Sequence, residues 1–184
     1  MKVDDTYWKQ IIDITETRLL VNNAWSGSSI AKQGGAKRGV QLHDNYGYYN
    51  GETPDIILVH YGTNDYLSFV SQGDEAYGVE SFAASYDEMV AAMLETYEDV
   101  DIYLFTFPHY KTNEDHIAIQ QEYNDAIRAT AEKYRCPLVD LHNNSAFNLE
   151  TFKELTVDGL HPNKAGMDAI TDTLYNVMCE QYIK

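Results

Sequence analysis

Four aliphatic residues in succession, Ile56-Ile57-Leu58-Val59, constrain the fold more than any other stretch of the chain. A strand with one wetted face alternates apolar and polar side chains. Residues 55–61 instead read as a continuous run rich in β-branched side chains. That pattern predicts burial on both faces, as in a parallel sheet with helices on each side. The run ends in Gly62-Thr63-Asn64-Asp65, a tight polar turn directly behind a buried strand.

Helical and strand patterns alternate around this run. Asp4 and Thr6 are helix caps, and Trp8, Ile11, Ile12 and Thr15 share the helical face that follows. Leu19, Leu20 and Val21 make residues 18–22 a short buried strand, leading into a loop of small polar residues. Residues 33–54 hold Gly34, Gly35, Gly39, Gly47 and Gly51 and read as a long irregular excursion with a short helix around residues 38–43. Phe82, Tyr86, Met89, Met93 and Tyr97 mark a helix by their spacing. Residues 102–107 form a strand that Pro108 stops. Ile119, Tyr123, Ile127 and Thr130 mark another helix, followed by a strand at 137–141 and a short helix at 149–155. A last helix, over residues 163–183, places Met167, Ile170, Leu174 and Val177 on one face behind Pro162, whose fixed φ suits a first turn. The expected fold is α/β: one domain over residues 1–184, a three-layer α/β/α sandwich with a mainly parallel sheet.

Charge removes some classes of partner. Thirteen basic against 29 acidic residues give a net charge of −16, which disfavours nucleic acid and anionic membrane surfaces. No apolar run reaches membrane-span length, and no hydrophobic leader follows Met1, so the chain as written reads as cytoplasmic. Cys136 and Cys179 lie outside any metal-ligand spacing and read as two buried free thiols or, as the alternative, one disulfide. No metal or other cofactor is expected. Fifteen tyrosines are many, and Tyr46, Tyr48 and Tyr49 sit among glycines, a composition that serves a sugar-binding surface or an aromatic loop packed on the core.

Three polar loops fall at strand ends or reach that edge: residues 22–29, 62–65 and 158–161. Ligands of open parallel sheets bind there. In Asp158-Gly159-Leu160-His161-Pro162 an acid three residues ahead of a histidine can orient one ring nitrogen and leave the other as a base. Asn64 offers an amide donor to a developing oxyanion, and Ser26-Gly27-Ser28 offers backbone N–H groups where glycine permits close approach. A base, its orienter and oxyanion donors are the parts of an acyl-transfer site.

These stretches resemble the sequence blocks of the SGNH (GDSL-like) hydrolases. Gly62-x-Asn64-Asp65 resembles the third block, Asp158-x-x-His161-Pro162 the fifth, and Asn22-Asn23-Ala24-Trp25-Ser26-Gly27-Ser28-Ser29 the second. The resemblance spans nearly the whole chain and implies a flavodoxin-like sandwich and esterase activity on a small or carbohydrate-linked ester such as an acetyl ester. It also implies Gly27 and Asn64 as oxyanion donors and Asp158 with His161 as the base pair. The family's first block, a Gly-Asp-Ser turn closing the first strand, does not occur in the sequence. The first strand is therefore expected to be missing, with an upstream segment lost and a secreted protein possible in that case. Ser26, behind a strand, is the alternative nucleophile. The family's first strand lies between the second and third, so residues 18–22 and 55–61 should be left with unpaired edges. Either a segment of a neighbouring chain, as in a homo-oligomer, completes the sheet, or the two strands close on each other.

Two other classes compete. A metal-dependent phosphoesterase needs several clustered ligands, whereas the six histidines here are scattered. A non-catalytic carbohydrate-binding domain fits the tyrosines and the missing Gly-Asp-Ser. Among remaining residues, His60 reads as a core histidine, His109 as a residue that can line the cleft, and His116 and His142 as surface or loop residues. Asp65 reads as a tie for its own loop.

Overall fold

The computed structural model describes residues 2–24, 26–31, 52–110 and 114–182. After a 3-10 turn at Val3–Asp5, helix α1 spans Tyr7–Thr15 and strand β1 spans Ile56–Val59. Helix α2 (Thr63–Gln72), a 3-10 turn (Glu75–Tyr77) and helix α3 (Val79–Thr96) lead to strand β2 (Asp101–Phe105). Helix α4 (Glu114–Tyr134), strand β3 (Leu138–Val139), helix α5 (Phe152–Leu155) and helix α6 (Lys164–Tyr182) complete the order.

The described strands form one parallel sheet in the order β1-β2-β3, with Ile56 opposite Asp101 and Leu104 opposite Leu138. The central strand shows why a continuous apolar run signals burial on both faces. Ile102 and Leu104 pack with Phe82, Tyr86, Met89, Tyr123 and Ile127 of α3 and α4, and with Tyr66 of α2. Tyr103 and Phe105 pack on the opposite face with Ile11, Ile170, Leu174 and Met178 of α1 and α6. The result is the three-layer sandwich expected.

Order at the carboxyl ends of β2 and β3 comes from a buried polar network. The Arg128 guanidinium donates through Nε and Nη2 to the two Asp140 carboxylate oxygens, both at 2.9 Å, and the Thr106 hydroxyl donates to the same group at 2.9 Å. Burial raises the Asp140 pKa, but these donors outweigh it and hold the carboxyl below its ordinary value. Asp140 thereby ends the expected strand at 137–141 after only Leu138–Val139.

Four expectations fail here. Residues 18–22 form no strand, and Leu19 is 44% exposed. They do not close against β1 either: both segments line a single cavity of about 790 Å³. At this edge Ile56 and Leu58 are half-buried while Ile57 and Val59 are buried, so β1 alternates despite its uniform composition. Position in the sheet decides its burial. Helix α2 was not anticipated, because Gly62-Thr63-Asn64-Asp65 reads as a turn although Gly62 is the cap of ten helical residues. The tyrosine cluster, the expected helix at 38–43 and most of the glycine-rich excursion lie outside the described residues.

Helix α6 is docked through a glycine. Asn163 caps it, its side-chain oxygen accepting from Gly166 N–H at 3.1 Å. A Cβ on Gly166 would lie 2.1 Å from the Leu155 carbonyl oxygen and 2.9 Å from the Phe147 ring. Gly166→Ala should therefore destabilise the chain by about 1–3 kcal/mol, read as a lower urea midpoint at unchanged slope. An unchanged midpoint would show that α6 is not held this closely.

Candidate active site

The loop ahead of α6 is a closed turn. Thr156 and Pro162 form an antiparallel bridge, and Val157 N–H donates to the His161 carbonyl at 2.8 Å. Gly159 takes a φ of 89° inside it, a region that favours glycine. Asp158 is fixed by three donors: Leu160 N–H at 3.0 Å, His161 N–H at 2.8 Å and the His161 ring Nδ1 at 2.7 Å. The His161 backbone N–H, then its ring, hold the Asp158 carboxyl down at about 2. A carboxylate charged at any working pH keeps the proton on Nδ1 and leaves the Nε2 lone pair available. The two side chains are 73% and 53% exposed, so the pair serves orientation far more than stability.

The β1–α2 turn lines the same cavity as His161. Gly62 has a φ of 117°, and a Cβ there would meet the Phe107 and Phe82 rings at 3.1 Å. Only glycine lets the chain turn so closely on the aromatic core, and the turn presents Asn64 and Asp65 in the first turn of α2. The Asn64 amide donates to the Ser28 carbonyl at 2.9 Å. That bond uses one of its two N–H groups, and the other has no partner among the described residues. Asp65 is fully buried and accepts from the backbone N–H groups of Ile30 at 3.0 Å and Ala31 at 2.9 Å. Its ties thus reach the loop ahead of residue 31 as well as its own backbone N–H. Burial raises the Asp65 pKa to about 6 although these N–H groups oppose the shift.

Gly27, between Ser26 and Ser28, adopts a φ of 75° with open space where a Cβ would stand. Glycine is needed there for conformation, not room. Ser26, Ser28, Gly62, Asn64 and His161 all line the 790 Å³ cavity, which runs along β1 to its carboxyl end. Asp158 stands behind His161.

The other histidines divide differently from expectation. His60 is half-buried on the cavity wall, stacked on Phe105 at 5.0 Å, and desolvation lowers its pKa to about 4. His109 is not in the lining of that cavity; its ring packs tilted against His142, the centroids 3.9 Å apart. His142 lies in a turn, as expected of a loop residue, but is only 6% exposed, its backbone N–H donating to the Thr106 hydroxyl. His116 is on α4 and half-buried. Both cysteines are free thiols, half-buried rather than buried. Among the described residues no three His, Cys, Asp or Glu side chains gather as a metal-binding group, and no helix is long and apolar enough to cross a membrane.

Raising the Asp65 pKa has a definite sign. The protonated form's extra stability is fully present below the ordinary value of 3.8 and is lost as pH rises through about 6. Carbon-detected NMR of the Asp65 carboxyl should show a midpoint near 6, and a midpoint near 4 would contradict its desolvation.

Comparison with known proteins identifies the family and the fold. The model of the GDSL-like lipase/acylhydrolase family matches residues 5–169. No curated protein sequence matches the chain. The acetyl xylan esterase AlAXEase is similar in structure, with a TM-score of 0.72 at 20% identity over 94% of this chain and 90% of that one. LAE5, an alpha/beta hydrolase from the metagenome of Lake Arreo, Spain, gives a TM-score of 0.72 at 24% identity, covering 94% and 81%. A variant of Axe2, an acetyl xylan esterase from Geobacillus stearothermophilus, gives 0.73 at 21%, covering 94% and 81%. At these identities the likenesses show the fold.

Proposed function

Because the chain belongs to the GDSL-like lipase/acylhydrolase family and so is an SGNH-type esterase, we propose that it hydrolyses small or carbohydrate-linked acetyl esters by serine acyl transfer. The observation that carries this reading is the 2.7 Å contact from Asp158 to His161 Nδ1, with His161 and Asn64 lining one cavity. Similarity to two acetyl xylan esterases supports the acetyl and carbohydrate part. A net charge of −16 is compatible with a neutral ester substrate.

In this reading His161 Nε2 takes the proton of a serine hydroxyl as its oxygen bonds to the ester carbonyl carbon. The carbonyl electrons move onto oxygen, and that oxyanion receives the second Asn64 N–H and the backbone N–H of Gly27. The C–O bond to the alcohol then breaks, and His161 returns the proton to the departing oxygen. Water repeats the sequence to release the acid. Asp158 stabilises the imidazolium throughout. The sequence holds no Gly-Asp-Ser. The proposed nucleophile is the serine of such a turn brought in on a strand beside β1, with Ser26, in the cavity wall, as the alternative.

A phosphonate that traps serine hydrolases should add no mass to the 184-residue chain. A fusion supplying a strand that ends in Gly-Asp-Ser ahead of Met1 should gain both labelling and turnover of a small acetyl ester. In the fusion, His161→Ala should abolish turnover and Asn64→Ala should lower it about 10²–10³-fold. Stoichiometric labelling of the unmodified chain at Ser26 would make Ser26 the nucleophile. A fusion that folds and labels nothing would sink the acyl-transfer reading and favour carbohydrate binding.

A further inference from the structure

We propose that Tyr110 is a positioning residue for the acyl-transfer site: through Thr63 it fixes the rotation of α2 that aims the Asn64 amide. This role depends on Asn64 being an oxyanion donor, and it falls to a side chain outside the cavity lining.

Helix α2 begins without a side-chain cap, because its cap residue is Gly62. Three consecutive side chains of its first turn reach outward to hold it. Asn64 donates to the Ser28 carbonyl at 2.9 Å, and Asp65 accepts from the backbone N–H groups of Ile30 and Ala31, so both draw α2 toward residues 28–31. Thr63 makes the third contact, a 2.9 Å hydrogen bond between its hydroxyl and that of Tyr110. Successive side chains leave a helix about 100° apart, so Thr63 and Asp65 point about 200° apart, to nearly opposite sides. The Thr63 bond therefore opposes the pull toward residues 28–31. Together the three contacts fix how α2 is turned about its axis.

Tyr110 has a firm seat. It is 6% exposed, and its ring stacks on Phe107 with centroids 5.8 Å apart and planes 7° from parallel. Phe107 is also a ring against which Gly62 turns, so one aromatic stack sets both the start of α2 and its rotation. Burial raises the Tyr110 pKa well above its ordinary value, which keeps the hydroxyl un-ionised at any working pH. A phenylalanine would keep the stack, but only the hydroxyl reaches Thr63.

Asn64 has one N–H on the Ser28 carbonyl and one for the oxyanion. An oxyanion donor works only when aimed where charge develops, and a small displacement of a positioned group lowers the rate steeply. Rotation of α2 toward residues 28–31 keeps the Ser28 bond and turns the second N–H off that place. The loss falls on the transition state rather than on ester binding.

Tyr110→Phe removes the hydroxyl and keeps the ring, and Thr63→Val removes the other partner while keeping its shape. In the 184-residue chain each should shift the Asn64 side-chain amide signals in nitrogen-15 NMR. Thr63→Ser, which retains a hydroxyl, should leave them in place. The double variant should shift them no further than either single one, since both remove one bond. In the Gly-Asp-Ser fusion, Tyr110→Phe should lower kcat about ten-fold with KM changed by less than about two-fold. A purely structural hydroxyl would instead lower the urea midpoint and leave kcat per folded chain unchanged. That result, or unmoved Asn64 signals in both single variants, would overturn the proposal. A fusion with no turnover before any substitution counts against ester hydrolysis itself, and the Asn64 signals then decide the placement by Tyr110 on their own.

Discussion

One buried carboxylate ties the candidate site to the fold. Asp65 sits in the first turn of α2 and holds the N–H groups of Ile30 and Ala31, while its neighbour Asn64 holds the Ser28 carbonyl. These contacts join the loop bearing Ser26 and Gly27 to the end of β1, across more than thirty residues of sequence. Hydrogen bonds to a charged acceptor contribute about 1.5–3 kcal/mol each, and burial takes back part of that, as the raised Asp65 pKa records. The loop's position is thus set by α2, and the placement of α2 by Gly62 against Phe107 and Phe82.

Much of this was legible in residues of special type. Gly62, Asn64, Asp158, Gly159 and His161 each do something few other side chains can do, so their spacing carried information about geometry. The helices with apolar periodicity, from Phe82 to Met93 and from Met167 to Leu174, packed where their spacing placed them. What the sequence did not reveal depends on neighbours. Leu19, Leu20 and Val21 have strand composition, but a strand exists only where a ladder partner stands beside it. His142 looks like any loop histidine until the Thr106 hydroxyl and the Arg128–Asp140 pair draw its backbone inward. The partner of Asp65 is likewise distant in sequence, and no local pattern announces it.

The same edge that leaves residues 18–22 outside the sheet gives the site its space. Between β1, α1 and that segment lies an apolar trough whose inner end meets a polar cluster of Ser26, Ser28, Asn64 and His161. His60, half-buried on its wall, is held neutral at working pH because desolvation lowers its pKa to about 4.

All of the proposed chemistry turns on which nitrogen of His161 carries the proton. Nitrogen-15 NMR of the His161 ring, recorded at a pH where it is neutral, tests this directly. The Asp158 carboxylate at 2.7 Å predicts the Nδ1–H tautomer with an unprotonated Nε2 facing the cavity. An Nε2–H tautomer would leave no base at that position and would contradict the assignment of Asp158 and His161 as the acid–base pair.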